Sequence, residues 1–434
     1  MKNIVNKMGL LLSLLWVSLS TLAYDFKVDG VEYTITDLDN LECEVASWPY
    51  SEGAVIIPSE VIYASHTFFV RGIGDGAFAR RESITSVYIP NSVKRIGNNA
   101  FSGCSNMATI SLSNSISKMG YSAFKSCTSL QSIEIMGTLS EIEHDCFRNC
   151  KSLLSITLPN TIESIGWEAF AYCESLKSIL IPNSVKFIGE EAFANCTSLE
   201  NISLSNKLIR INFGLFHNCS SLRSLEIPGS VSEIIMYENG TSSNSSISPF
   251  KGCDSLKYLS FPESSVSLKV YENDFYAHTV EGRLKDETIT DIYIDRPIDK
   301  KMLFPNLERL KLGSNMTYVP VGGGSSYDPT VAELNNLKSI ECIAIDPPYL
   351  ATLTNKQYMN IEVLVLPEAL EAYKNAPSWK SFWNLQGGAG VNYIKDDSKH
   401  IVSRVSISGT PVDESYRGLV IVRYSDGTIE KIIE

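Results

Sequence analysis

Phenylalanine recurs in this chain at Phe78, Phe101, Phe124, Phe147, Phe170, Phe193 and Phe216, always 23 residues apart. Three residues after six of these comes a cysteine: Cys104, Cys127, Cys150, Cys173, Cys196 and Cys219. An eighth unit, Phe250 and Cys253, follows a longer gap holding "MYENGTSSNSS" (Met236–Ser246), a polar stretch that reads as a loop inserted on one face. A unit this short cannot bury its own apolar side chains. Stacked units can, each covering its neighbour, so the spacing demands a one-dimensional array.

Within a unit the order is Phe-x-x-Cys-x-Ser-Leu-x-Ser-Ile-x-Ile-Pro-x-Ser-Val-x-x-Ile-Gly-x-x-Ala. Leu153, Leu176, Leu199 and Leu222 form one column, and Ile156, Ile179, Ile202 and Leu225 a second. Leu158, Ile181, Leu204 and Ile227 form a third, and Ile165, Ile188 and Ile211 a fourth. In "LKSILIP" (Leu176–Pro182) the alternation predicts a short strand with one buried face. Pro182 ends it by removing a ladder donor, and Gly189 is expected to allow a tight bend. Parallel strands then stack about 4.8 Å apart, with the Phe column filling the interior.

"LKSILIPNSVKFIGEEAFANCTSL" resembles the 23-residue repeat of BspA-like leucine-rich repeat surface proteins of Bacteroides-type bacteria. The stretch from Tyr24 through "GAVIIPSEVIYASHTFFVRGIGDGAF" is similar to that family's N-terminal β cap. "YMNIEVLVLPEALEAYKNAPSWKSFWNL" (Tyr358–Leu385) is similar to its C-terminal cap, with a Tyr and a Trp-x-x-Phe. The resemblance implies a β-rich leucine-rich-repeat solenoid, one parallel strand per 23-residue repeat, with caps at both ends. It also implies binding of host proteins or neighbouring cells. Val402–Glu434 resembles the C-terminal sorting domain of type IX-secreted proteins, with a plain small β module as the alternative; "GLVIVRYSDGTIEKI" reads as two strands about an Asp-Gly turn.

The expected layout is a signal peptide (1–23), an N-terminal β cap (24–72), regular repeats (73–262), degenerate repeats with the C-terminal cap (263–388) and a short β tail (389–434), about a dozen coils in all. Lys2 and Lys7, the apolar run Leu10–Leu19 and Thr21-Leu22-Ala23 give the leader its three parts; an uncleaved anchor is the alternative. No later segment is apolar enough for a membrane span, so the mature chain is expected to be exported to the surface or medium. The net charge of −12 becomes −14 once Lys2 and Lys7 are removed, which argues against nucleic-acid partners.

Catalytic signatures are wanting. His66, His144, His217, His278 and His400 are scattered, and no H-E-x-x-H, G-x-S-x-G or Walker pattern occurs. The Cys ladder reads as reduced core thiols, since neighbouring side chains point the same way, and no histidine cluster supports zinc. No cofactor is implied. Outward strand positions such as Ser132, Ser155, Ser178 and Ser224 suit solvation or a broad contact.

One column departs from this blandness. The residue after the repeat's Gly position is Tyr121, His144, Trp167, Glu190 and Phe213 in successive turns. A row of rings is what sugars and protein hot spots exploit. The alternative is packing on the coil edge or against the inserted loop. Tyr121, His144, Trp167 and Phe213 are therefore the candidate ligand contacts. The expected function is non-catalytic binding of a host or microbial surface protein or glycan. A secreted hydrolase with a site in the irregular coils and a passive spacer are the alternatives.

Overall fold

The computed structural model describes residues 24–49, 53–238, 246–264, 268–273, 279–281, 284–285, 288–296, 302–304, 306–319, 336–350, 353, 355–389, 401–406, 419–424 and 429–433. The expected leader, and residues 239–245 of the insertion, lie outside them. The chain divides into two compact units, up to Ser175 and from Leu176.

In the first unit each coil makes two short strands. The first set runs in parallel through Gly53–Ile56, Ile84–Tyr88, Thr109–Ser111, Ser132–Glu134 and Ser155–Thr157. Its pairing is in register, with Ile133 opposite Ile156. The second set includes Arg95–Ile96 beside Lys118–Met119, and Glu141–Ile142 beside Ser164–Ile165. The isoleucine columns thus face inward: Ile133, Ile142, Ile156 and Ile165 are all buried.

The N-terminal cap joins this framework directly. Phe26–Val28, Val31–Asp37 and Glu42–Ser47 are antiparallel, and Glu42–Ser47 pairs in parallel with His66–Ile73, which in turn pairs with Arg95–Ile96. Trp48 stacks on Phe78 at 5.3 Å and closes the end of the Phe column. From there Phe101, Phe124, Phe147 and Phe170 stack at 5.4 Å between neighbours, with ring planes within 7°.

Each cysteine of the ladder has a partner in this core. The Cys104, Cys127, Cys150 and Cys173 thiols donate to the carbonyls of Phe78, Phe101, Phe124 and Phe147, at 3.1–3.3 Å. All ten cysteines of the chain are reduced and buried. A small apolar residue with one weak donor is what such a site needs.

The second unit continues the pattern. Ser178–Leu180 pairs in parallel with Asn201–Ser203. A seven-stranded sheet then runs Ser224–Glu226, Tyr258–Phe261, Asp291–Ile294, Arg309–Leu312, Ser339–Cys342, Glu362–Val365 and Asn384–Gly387. The strands are kept although the spacing between them is not, which is why the repeat looks degenerate there. The Phe column reappears as Phe193, Phe216 and Phe250. A helix Asn355–Asn360 and a helix Leu370–Asn375 form the C-terminal cap around buried Trp379. The tail strands Ile401–Ser406, Leu419–Tyr424 and Ile429–Ile433 form an antiparallel sheet.

Two local expectations are corrected. The tight turn expected at Gly189 falls on Glu191, whose φ is 55°. The insertion is not a plain loop at its ends, because Glu233–Glu238 is a strand whose Tyr237 and Glu238 pair with Ile247 and Ser246.

Candidate binding surfaces

In the first unit the column Asp75, Asn98, Tyr121, His144 and Trp167 places one residue on each coil at the same corner. The backbone there is laddered: Asn99 N–H donates to Tyr121 O, Ser122 N–H to His144 O, and Asp145 N–H to Trp167 O, each at 2.9 Å. The residue after the column turns left-handed in every coil, with φ between 50° and 57° at Asn99, Ser122, Asp145 and Glu168.

The column side chains do two different things. Asp75, Asn98 and His144 turn back and accept the column N–H of the next coil. Asn98 N–H reaches Asp75 Oδ1 at 2.9 Å, Tyr121 N–H reaches Asn98 Oδ1 at 3.2 Å, and Trp167 N–H reaches His144 Nδ1 at 2.8 Å. Glycine makes the room. A Cβ on Gly97 or Gly120 would lie 2.4 Å from the accepting oxygen, and on Gly166 it would lie 2.8 Å from His144 Nδ1. The bond to His144 needs a bare Nδ1, so the neutral ring carries its proton on Nε2.

Tyr121 and Trp167 present their rings to solvent instead. They are 49% and 52% exposed. The His144 and Trp167 rings meet at 4.9 Å with their planes 37° apart. The structure therefore brings His144 and Trp167 into direct contact and sets Tyr121 one ladder step from His144. In the second unit Glu190 and Phe213 are half-buried.

Charge surrounds the ring pair. Arg148 bonds Asp145 at 3.4 Å and pairs closely with Glu168, while its guanidinium lies 5.6 Å over the Tyr172 ring. Lys125 holds the other oxygen of Asp145 at 3.1 Å. Burial first, and then Glu143, pushes the Glu141 carboxyl above its ordinary range. Tyr172 itself sits at φ 62°, an uncommon place for a bulky residue.

A second surface was not legible in the regular repeats. On the outer face of the seven-stranded sheet, register sets Ser224, Tyr258, Asp291, Arg309, Ser339 and Glu362 in one row. Glu226, Ser260, Tyr293, Lys311, Glu341 and Leu364 form the other. Arg309 pairs with Asp291, and Lys311 with Glu341 at 3.0 Å. Burial raises the Tyr258 phenol, and Glu226, Asp291 and Glu341 add to the shift. The signal was present as period-two alternation in "YLSF", "DIYI", "RLKL" and "SIEC", masked by the uneven spacing between them.

Among the described residues no group of three or more His, Cys, Asp or Glu could hold a metal ion. No helix among them is long and apolar enough to cross a membrane.

A family model described as "BspA type Leucine rich repeat region (6 copies)" matches residues 71–198 and 140–290. A leucine-rich repeat protein from Bacteroides ovatus is similar in structure, with 23% identity, a TM-score of 0.46 and 80% of each chain covered. A leucine-rich cell surface protein from Faecalibacterium prausnitzii shares 21% identity over 78% of this chain and 97% of its own, with a TM-score of 0.37. The pneumococcal vaccine antigen PcpA shares 16% identity over 85% of this chain and 98% of its own, with a TM-score of 0.39. No curated protein matches. The family match covers half of the 434 residues, and the chain belongs to the BspA type leucine-rich repeat family, whose repeats generally serve as protein-interaction modules and non-catalytic scaffolds.

Proposed function

We propose that this protein is exported to the cell surface, loses residues 1–23, and binds a macromolecular surface ligand without catalysing a reaction. The observation that supports this reading is the exposed ring pair His144–Trp167, with Tyr121 one coil away. The backbone ladder, the bond from Trp167 N–H to His144 Nδ1 and the contact between the two rings position this pair, so less side-chain freedom is lost on contact. Exposed aromatic anchors of this kind are typical interface hot spots.

The test is an array of immobilised matrix proteins, mucins and glycans, probed with the chain from Tyr24 and with its Trp167→Ala variant. Saturable binding that weakens at least tenfold in the variant supports the reading. Absence of saturable binding to any of these surfaces would overturn it. A glycan ligand is the second reading, favoured by the phenols of Tyr258 and Tyr293 beside carboxylates on the strand face. Loss of glycan binding in Tyr258→Ala with Trp167 intact would select it.

A further inference from the structure

Arg296 is wholly buried in the second unit. It follows the strand Asp291–Ile294, and its guanidinium reaches back to an earlier coil. Nη1 donates to Gly229 O at 3.1 Å and to Val231 O at 2.8 Å. The Phe261 ring lies 6.0 Å from Cζ. Nε and Nη2 have no hydrogen-bond acceptor among the described residues.

These two nitrogens share one edge of the guanidinium. Their N–H groups run parallel, at the spacing that takes both oxygens of a carboxylate side-on. The adjacent carboxylate is committed elsewhere. Asp295 Oδ1 accepts Asn315 N–H at 2.8 Å and Asn315 Nδ2–H at 3.3 Å, and its Oδ2 accepts the Tyr293 hydroxyl at 3.1 Å. Burial lowers the Arg296 pKa to about 10, which leaves it cationic at neutral pH. A cation out of water without a counter-charge is strongly unfavourable. Water would satisfy the two N–H groups but would leave the charge uncompensated.

We propose that this edge of Arg296 is a binding site for a small carboxylate anion, taken up into the interior of the folded chain. Complete burial excludes a carboxylate carried by a macromolecule, and the planar two-donor edge favours two oxygens over a spherical halide. The site is independent of the surface reading above, so neither test bears on the other.

The experiment is thermal unfolding of the full chain at neutral pH and fixed ionic strength. Sodium formate, sodium acetate and sodium chloride are compared with a bulky sulfonate salt. Formate is expected to raise the midpoint by about 2–4 °C over the sulfonate, and chloride by less. Arg296→Met should respond to none of them. Arg296→Lys keeps the charge without the edge, so its response to formate should not exceed its response to chloride. Line broadening of ¹³C-formate by the native protein, lost in Arg296→Lys, reads the binding directly even where the Met variant does not fold. Identical midpoints in all four salts, or a formate response that survives in Arg296→Met, would overturn the proposal.

Discussion

His144 Nδ1 accepts the backbone N–H of Trp167 across one coil, at 2.8 Å, while the same imidazole packs against the Trp167 indole at 4.9 Å. One side chain thus fixes both the backbone and the ring of the residue it presents. Asn98 makes the equivalent bond to Tyr121 N–H without a ring. His144→Asn should therefore keep the bond and stay within about 0.5 kcal/mol of the parent in urea unfolding. His144→Ala leaves the N–H without this partner and should lose about 1–2 kcal/mol. Equal losses in the two variants would assign the stability to the ring contact instead.

Gly166 is a matter of space rather than of dihedral freedom. An added Cβ would lie 2.6 Å from His144 N and 2.8 Å from Glu143 C, both backbone atoms that cannot swing aside. Gly166→Ala should cost about 2 kcal/mol or more through forced displacement of the coils. The matched change Glu143→Ala, at the same repeat position one coil earlier, should cost less than about 1 kcal/mol. A Gly166→Ala variant as stable as the parent would show that the two coils separate without cost.

Phe147 lies between Phe124 and Phe170, 5.4 Å from each, and is wholly buried. Phe147→Ala opens a cavity that neighbours on both sides cannot fill, because each is held by its own stack. A loss of about 3–5 kcal/mol is expected. Phe147→Leu should recover a large part of it. A denaturation midpoint unchanged in the Ala variant would contradict the stacked core.

Burial pushes the Cys104 and Cys150 thiols up to about 12. Their unfolded pKa is near 8.5. The folded state therefore holds these protons more tightly than the unfolded one. The thiols' stabilising contribution is complete below about pH 8.5 and falls as pH rises toward 12, because the unfolded chain ionises first. Stability should thus fall between pH 8 and 11 more steeply in the parent than in a Cys104→Ala, Cys150→Ala double variant. In the same pH range the native thiols should resist iodoacetamide, and all ten should react in urea. Rapid alkylation of the native protein would refute their burial.

The fold was legible wherever the 23-residue period was legible. Ile133, Ile156, Ile179 and Ile202 fall in one sequence column and all are buried. The seven-stranded face around Tyr258, Tyr293 and Lys311 was not, because strands starting at 258, 291, 309 and 339 share no common spacing. At the corner column, sequence reasoning saw rings and missed hydrogen bonds. A clue existed: Asp75, Asn98 and His144 are each followed 22 residues later by Gly97, Gly120 and Gly166, whereas Tyr121 is followed by Glu143. The clue is imperfect, since Gly189 follows Trp167. In the folded chain the missing Cβ of Gly97, Gly120 and Gly166 is space for an acceptor.

The Trp-x-x-Phe of the C-terminal cap makes a last relationship testable. Trp379 is almost fully buried, meets Tyr373 edge-on at 4.8 Å, and donates from Nε1 to Pro348 O at 2.7 Å. Tyr373 in turn donates to Ala344 O at 3.0 Å. Both rings thus tie the cap to carbonyls of the segment just after the strand Ser339–Cys342. Trp379→Phe keeps most of the apolar contact and removes the donor, leaving Pro348 O without it. The expected cost is about 1–3 kcal/mol. Amide exchange should report where that cost falls. Protection should drop first at Glu362–Val365 and Asn384–Gly387, which lie beside the cap, while Ser224–Glu226 at the opposite edge of the same sheet keeps its parent rate. Uniform loss of protection across all seven strands would mean that the sheet opens as one cooperative body and that Trp379 guards the whole of it rather than its end.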